Sequence, residues 1–185
     1  PYVEKRVLGR AAANPSVEIL FHIPPIWHDD IAPLAILGQV LSARTGKMYN
    51  EMVLKNEHAT SVRANASQSE YDGQFSVAAT AREVKNAPVI PLDQLEKELW
   101  TYLEDAKTTP CDGQLLQRVK NQVEARYLQS LQGTGIAGQL ARMEVAYRWQ
   151  YLDDQFKRNM AVTPADLMRV AKKYFTRDNS VTGIL

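Results

Sequence analysis

The sequence predicts an α+β domain in which an antiparallel or mixed β-sheet is covered by helices mainly on one face. Three observations predict it. Strand-like patterns cluster in the first half of the 185 residues, helical stripes fill the middle, and a strand pattern returns at the end. That order suits a sheet with helices segregated to one side rather than a βαβ alternation. A length of 185 residues suits one domain with a substantial core, so residues 1–185 are read as a single domain.

Residues 17–23 (VEILFHI) form a near-continuous apolar run, expected to be a strand covered on both faces and stopped by Pro24-Pro25. Asp29-Asp30 then precede residues 31–41, where Ile31, Leu34, Leu37, Val40 and Leu41 recur at helical spacing. Acidic residues there sit at the positive end of the helix dipole.

Residues 42–84 start with a short helical piece and carry the clearest strand signal. Val62, Ala64 and Ala66 share one strand face while Ser61, Arg63, Asn65 and Ser67 take the other. Phe75, Val77, Ala79 and Ala81 repeat the pattern after Glu70-Tyr71-Asp72-Gly73. Asp-Gly is expected to supply the positive-φ position of a hairpin turn.

Residues 86–91 hold two prolines and read as a connector. Leu92, Leu95, Leu99 and Leu103 mark the inner face of a helix whose outer face holds Glu96, Lys97, Glu98 and Glu104. Thr109-Pro110-Cys111-Asp112 reads as the next helix start, with Thr109 as cap, and Leu115, Val119, Val123 and Tyr127 follow. Gly133-Thr134-Gly135 breaks or bends that helix, and residues 136–151 resume it. Thr163-Pro164-Ala165-Asp166 starts the last helix, striped by Leu167, Val170, Ala171 and Tyr174. Lys172-Lys173 near its end suit the negative end of the dipole. Arg177-Asp178-Asn179 makes a turn into a final strand at 181–185.

The run Gly46, Lys47, Met48, Tyr49, Val53, Ala59, Ser61 and Val62 combines a small turn, an aromatic, a helical piece and a strand entry. In that order and spacing it resembles the C-terminal-type domain of the insulinase/pitrilysin family of inverted-motif zinc peptidases. The likeness extends from the strand and helix of 17–41 to the helix and strand of 162–185, nearly the whole chain. It implies a non-catalytic domain of a zinc-dependent metalloendopeptidase that helps to enclose peptide substrate in a chamber. Its partners would be companion peptidase domains of the same parent chain and, transiently, a peptide. Zinc is expected in a neighbouring domain and none in this segment. The alternative of a different class is a structural or assembly subunit on the same fold, as the family's inactive relatives are.

The residues themselves offer no chemistry to set against that reading. The family's zinc motif, His-x-x-Glu-His on a helix, binds the metal through two imidazoles and activates water through the Glu. His22 and His28 are separated by Pro24-Pro25, and His58 follows Glu57 with no histidine four residues before it. His22 in its apolar strand reads as a hydrogen-bonded structural histidine, and Glu57-His58 as a polar helix end. Trp27, Trp100 and Trp149 read as core or interface anchors. Gly133-Thr134-Gly135 lacks the spacing of a phosphate-binding loop. Catalytic, metal-binding and substrate-binding residues are therefore all assigned as none. The resemblance places an Arg and a Tyr that help hold the substrate at positions occupied here by Val53 and Thr60, which cannot do that work.

Lys and Arg number 22 against 21 Asp and Glu, so a formal charge of +1 gives no electrostatic case for nucleic acid or an anionic membrane. No apolar run has the length of a membrane span, and PYVEKRVLGR lacks the layout of a signal peptide. One cysteine, Cys111, excludes an internal disulfide and names no compartment. A chain that begins without Met is expected to be excised from a longer multidomain protein, and a bacterial periplasmic or secreted parent is compatible with that.

Overall fold

A period of two builds the sheet and a period of 3.6 builds its cover. The computed structural model describes residues 5–9, 14–85, 87–132, 135–146 and 148–185. Along the chain run β1 (Lys5–Leu8), β2 (Ser16–Ile23), α1 (Ile31–Ser42), α2 (Lys47–Tyr49), a π-helical turn (Asn50–Lys55), β3 (Ala59–Gln68) and β4 (Gly73–Ala81). A small ribbon of β5 (Glu83–Val84) and β6 (Ala87–Pro88) follows. Then come α3 (Leu92–Thr108), α4 (Gly113–Ser130), α5 (Gly135–Ala146), α6 (Tyr151–Ala161), α7 (Pro164–Tyr174) and β7 (Ser180–Ile184).

Five strands form one sheet in the order β1-β7-β2-β4-β3. Only the β1–β7 pair is parallel, so the sheet is mixed. The fold is α+β, as the order of patterns predicts. Two differences concern the strands. β2 is covered on one face, because Val17, Ile19, Phe21 and Ile23 are buried while Glu18 and His22 are exposed. The apolar run is continuous only because Leu20 stands at a half-buried position of the open face, beside Val181. β1 carried no readable alternation, since its four residues are all exposed at the sheet edge.

Helices α1, α3 and α7 pack on the sheet, and α4 and α6 pack against α1. Sandwiched in this way, α1 buries residues right round its circumference, including Ile31, Leu34, Ile36, Leu37 and Val40. It comes close to the sheet at Gly38, where an added Cβ would lie 3.3 Å from the carbonyl oxygen of Ala64. Under the sheet Phe175 packs at a tilt against both Phe21 and Phe75, with ring centroids 4.9 Å apart in each pair. Trp100 of α3 meets Phe21 edge-on at 5.6 Å.

α7 is tied to α1 by one buried acid. Asp30 stands at the N-cap of α1 but caps nothing with its side chain. Its carboxylate accepts instead from Arg169 Nη1 at 2.5 Å, Lys173 Nζ at 2.7 Å and the Tyr174 hydroxyl at 2.7 Å. Lys173 thus serves a tertiary ion pair, where the sequence suggested a dipole partner. Burial would raise the Asp30 carboxyl, but the hydrogen bonds from Lys173, Tyr174 and Arg169 outweigh it and hold it well below the usual carboxylate range.

Further differences are local. The cap of α4 is Asp112, which accepts from the N–H groups of Gln114 and Leu115, while the Thr109 hydroxyl donates to Asp105 of the preceding helix. Helical structure after the glycine break ends at Ala146, and a separate helix, α6, occupies Tyr151–Ala161. Gly133 and Thr134 of the predicted break lie outside the described residues. In the hairpin turn Ser69 and Asp72 clasp each other, with Ser69 N–H to the Asp72 carbonyl at 2.8 Å and Ser69 Oγ to Asp72 Oδ1 at 2.7 Å. Gly73 needs no left-handed backbone there. It is required because an added Cβ would lie 2.9 Å from Ile23 Cγ1 and 3.0 Å from the Ser67 carbonyl. The capping box of α7, between Thr163 and Asp166, forms as its sequence predicts.

Candidate functional site

The segment that carries the family-like motif is zipped to α3 by three polar contacts. Lys47 Nζ donates to Asp105 Oδ2 at 3.0 Å, the Tyr102 hydroxyl donates to Glu51 Oε2 at 2.9 Å, and His58 Nδ1 lies 2.8 Å from Glu98 Oε1. Positions 98, 102 and 105 fall on one stripe of a helix, which is why a single face of α3 can engage all three. Beneath the zipper Met48, Met52 and Val53 are buried. Burial and the Glu51 carboxylate push the Tyr102 phenol above its ordinary range. Hydrogen bonds from Thr109 and Lys47 lower the Asp105 carboxyl. The segment also departs from regular helix, running through a π-helical turn to Glu57, whose φ of 56° is left-handed.

These partners were hidden in the sequence by the assignment of Glu96 and Glu98 to an outer face. Glu96 is 8% exposed and pairs with Arg6 Nη2 at 3.1 Å, and Glu98 is partly buried against His58. The readable signal was the 98–102–105 stripe, but nothing local says that residues 47–58 cover it.

The three histidines stay apart. His22 is exposed on the open sheet face, and its ring makes no hydrogen bond among the described residues, so the structural role expected of it is not the one it has. His28 accepts the Asp30 N–H at 3.0 Å, and His58 pairs with Glu98. Among the described residues no group of three or more His, Cys, Asp or Glu is placed to hold a metal ion. Nor is any helix among them long and apolar enough to cross a membrane. Val53 is 6% exposed in the core, and Thr60 is exposed with its hydroxyl donating to the Thr80 carbonyl at 3.4 Å. Trp100 is a core residue, capped by the Arg177 guanidinium 3.9 Å from its ring, while Trp27 and Trp149 are half-exposed.

The side of the sheet opposite the helices is a built surface of another kind. Strand register sets Val181, Leu20, Ser76 and Asn65 in one row across it, Gly183, Glu18, Ala78 and Arg63 in the next, and His22, Gln74 and Ser67 in a third. Hydroxyl and amide groups of Ser67, Gln74, Ser76 and Asn65 are interspersed with Leu20, Val181 and Ala78, and Glu18, Arg63 and Lys5 give mixed charge. At the hairpin end this face deepens into a concavity of about 510 Å³, bordered by His22, Gln74, Asp72 and Asn179. Such a surface can solvate and slide past a polypeptide backbone.

Among the described residues, the class the structure defines is a helix-backed mixed sheet that carries this motif segment and gathers no set of metal-ligating side chains. Residues 2–123 match the family described as the peptidase M16 inactive domain, and the chain belongs to that family. It is 25% identical over 171 residues to the zinc protease PqqE of Helicobacter pylori, an alignment covering 91% of this chain and 37% of that protein. Among solved structures, a protease from Helicobacter pylori superposes with a TM-score of 0.88 at 23% identity, covering all of this chain and 45% of that one. The inactive peptidase domain of a zinc protease candidate from Bordetella parapertussis gives 0.81 at 19% identity, with 95% and 92% covered. The chain thus spans less than half the length of both Helicobacter relatives.

Proposed function

We propose that this domain is a wall of a peptide-enclosing chamber in an M16-type metalloendopeptidase, with zinc and its activating acid in companion peptidase domains of the parent. The observation that supports this reading is the one-sided sheet. Helices cover one face, and among the described residues the other is open, a surface of hydroxyl, amide and charged groups interspersed with Leu20, Val181 and Ala78, suited to line a wet enclosure through which a chain must move. Val53 and Thr60 belong to the framework: one packs in the core, the other rests on a neighbouring strand.

The test is steady-state kinetics of a parent protease carrying Val53→Ala or Thr60→Ala. Loss of a group that stabilises developing charge slows turnover by about a hundredfold to a thousandfold. A packing residue costs about 1 kcal/mol of stability and leaves the chemistry near its original rate. Folded variants with unchanged kcat support the wall; a hundredfold loss in either makes this domain a participant in catalysis. A parent that binds no zinc and cleaves no peptide would select the rival reading, a structural or assembly subunit.

A further inference from the structure

We propose that a cleft on the helical side of the domain binds a small apolar carboxylate, a short fatty acid or a compound of like shape, with Arg118 as its anchor. The cleft has a volume of about 280 Å³ and lies where α1, α2, α3, α4 and α7 converge. That is the small end of the range for ligand cavities, so the occupant is slim. Its floor is apolar: Leu37, Met48 and Leu167 are each 2% exposed. Ala106 and Leu115 line its side. An apolar hollow between helices holds water poorly and gains by taking an apolar chain.

Charge at the mouth selects the headgroup. Two acids stand there, and each oxygen of both already accepts a hydrogen bond within the protein. Asp105 accepts from Thr109 at 2.7 Å and from Lys47 at 3.0 Å; Asp112 accepts from the N–H groups of Gln114 and Leu115, both at 3.2 Å. The cations are not used up. Arg118 makes one contact, Nε to the Gln114 carbonyl at 3.4 Å, and its terminal amino groups have no acceptor among the described residues. Lys47 spends one of its donors on Asp105 and keeps its side chain 58% exposed. An anionic head therefore meets the planar guanidinium of Arg118, whose fork of donors suits a carboxylate, whereas the charge of each acid is already engaged, Asp105 by Lys47 and Asp112 by the N-terminus of α4. This site is remote from the open sheet face and independent of the chamber reading.

Cys111 lies in the cleft and is the chain's single cysteine, so its alkylation reports on occupancy. Burial raises its thiol above the ordinary value, which keeps the reaction slow enough to follow. The experiment measures alkylation of Cys111 by a neutral maleimide, with calorimetry in parallel, using octanoate and octylammonium as probes. Octanoate is expected to protect the thiol and octylammonium not to. Arg118→Gln, at an exposed position, is expected to weaken octanoate about tenfold or more, the worth of one charge-assisted hydrogen bond. Ala106→Leu, which narrows the cleft, is expected to abolish protection while the far-ultraviolet spectrum stays native. The proposal is overturned if octanoate gives no protection, if octylammonium protects equally, or if Arg118→Gln leaves octanoate binding unchanged.

Discussion

Asp30 is the residue on which two helices depend. It is 3% exposed and receives three donors from α7, so Asp30→Asn removes charge-assisted bonds that each carry about 1.5–3 kcal/mol. A net loss of about 2–4 kcal/mol is expected, because the cations left behind are half-exposed and regain water. The pH dependence has a definite sign. A carboxyl held below its ordinary value in the folded state adds stability above that value, near pH 4, and loses it as pH falls toward the folded one. Wild-type melting temperature should therefore drop below about pH 4 more steeply than that of Asp30→Asn; parallel curves would contradict the role assigned to Asp30. Gly73 acts at the same scale through space alone. Gly73→Ala places a methyl 2.9 Å from Ile23 and should cost about 1–3 kcal/mol in urea denaturation, with no loss at all the contrary result.

At the scale of elements, caps and turns decide where helices begin and end. Asp112→Ala should lower stability by about 1 kcal/mol, and Thr109→Ala by less, since the cap of α4 is Asp112. The reverse order would restore the Thr-Pro start suggested by sequence. Glu57→Gly should be neutral or stabilising by up to about 1 kcal/mol, because the left-handed backbone at 56° costs a side chain what it does not cost glycine. What was legible here follows the range of the forces involved. The hairpin, the α3 stripe and the Thr163–Asp166 box are set by neighbours within a few residues, and all were readable. The zipper from Lys47, Glu51 and His58 to α3, and the tie from Asp30 to α7, join residues 40 to 144 positions apart, and no local pattern encodes such a meeting. The break before α6 and the exposed edge strand β1 lacked apolar periodicity, so neither gave a signal.

For the whole molecule, the sheet order brings the last strand, β7, between β1 and β2, so the two ends of the described chain close the sheet together. Removal of β7 should abolish cooperative unfolding, because β1 has no other partner strand and β2 would lose its second. The cover of helices and the bare polar face make the domain two-sided, and the chamber reading rests on that asymmetry. The most direct measurement is kcat/KM of a parent protease for a long and a short peptide, with Ser76→Trp or Asn65→Trp on the open face and Glu124→Trp on α4 as the helical-side control. The open-face variants should lose about tenfold or more on the long peptide, the equivalent of 1.4 kcal/mol, and leave the short peptide and the control near wild type. Equal effects on both peptides, or none on either, would contradict the assignment of this face to the inside of a chamber.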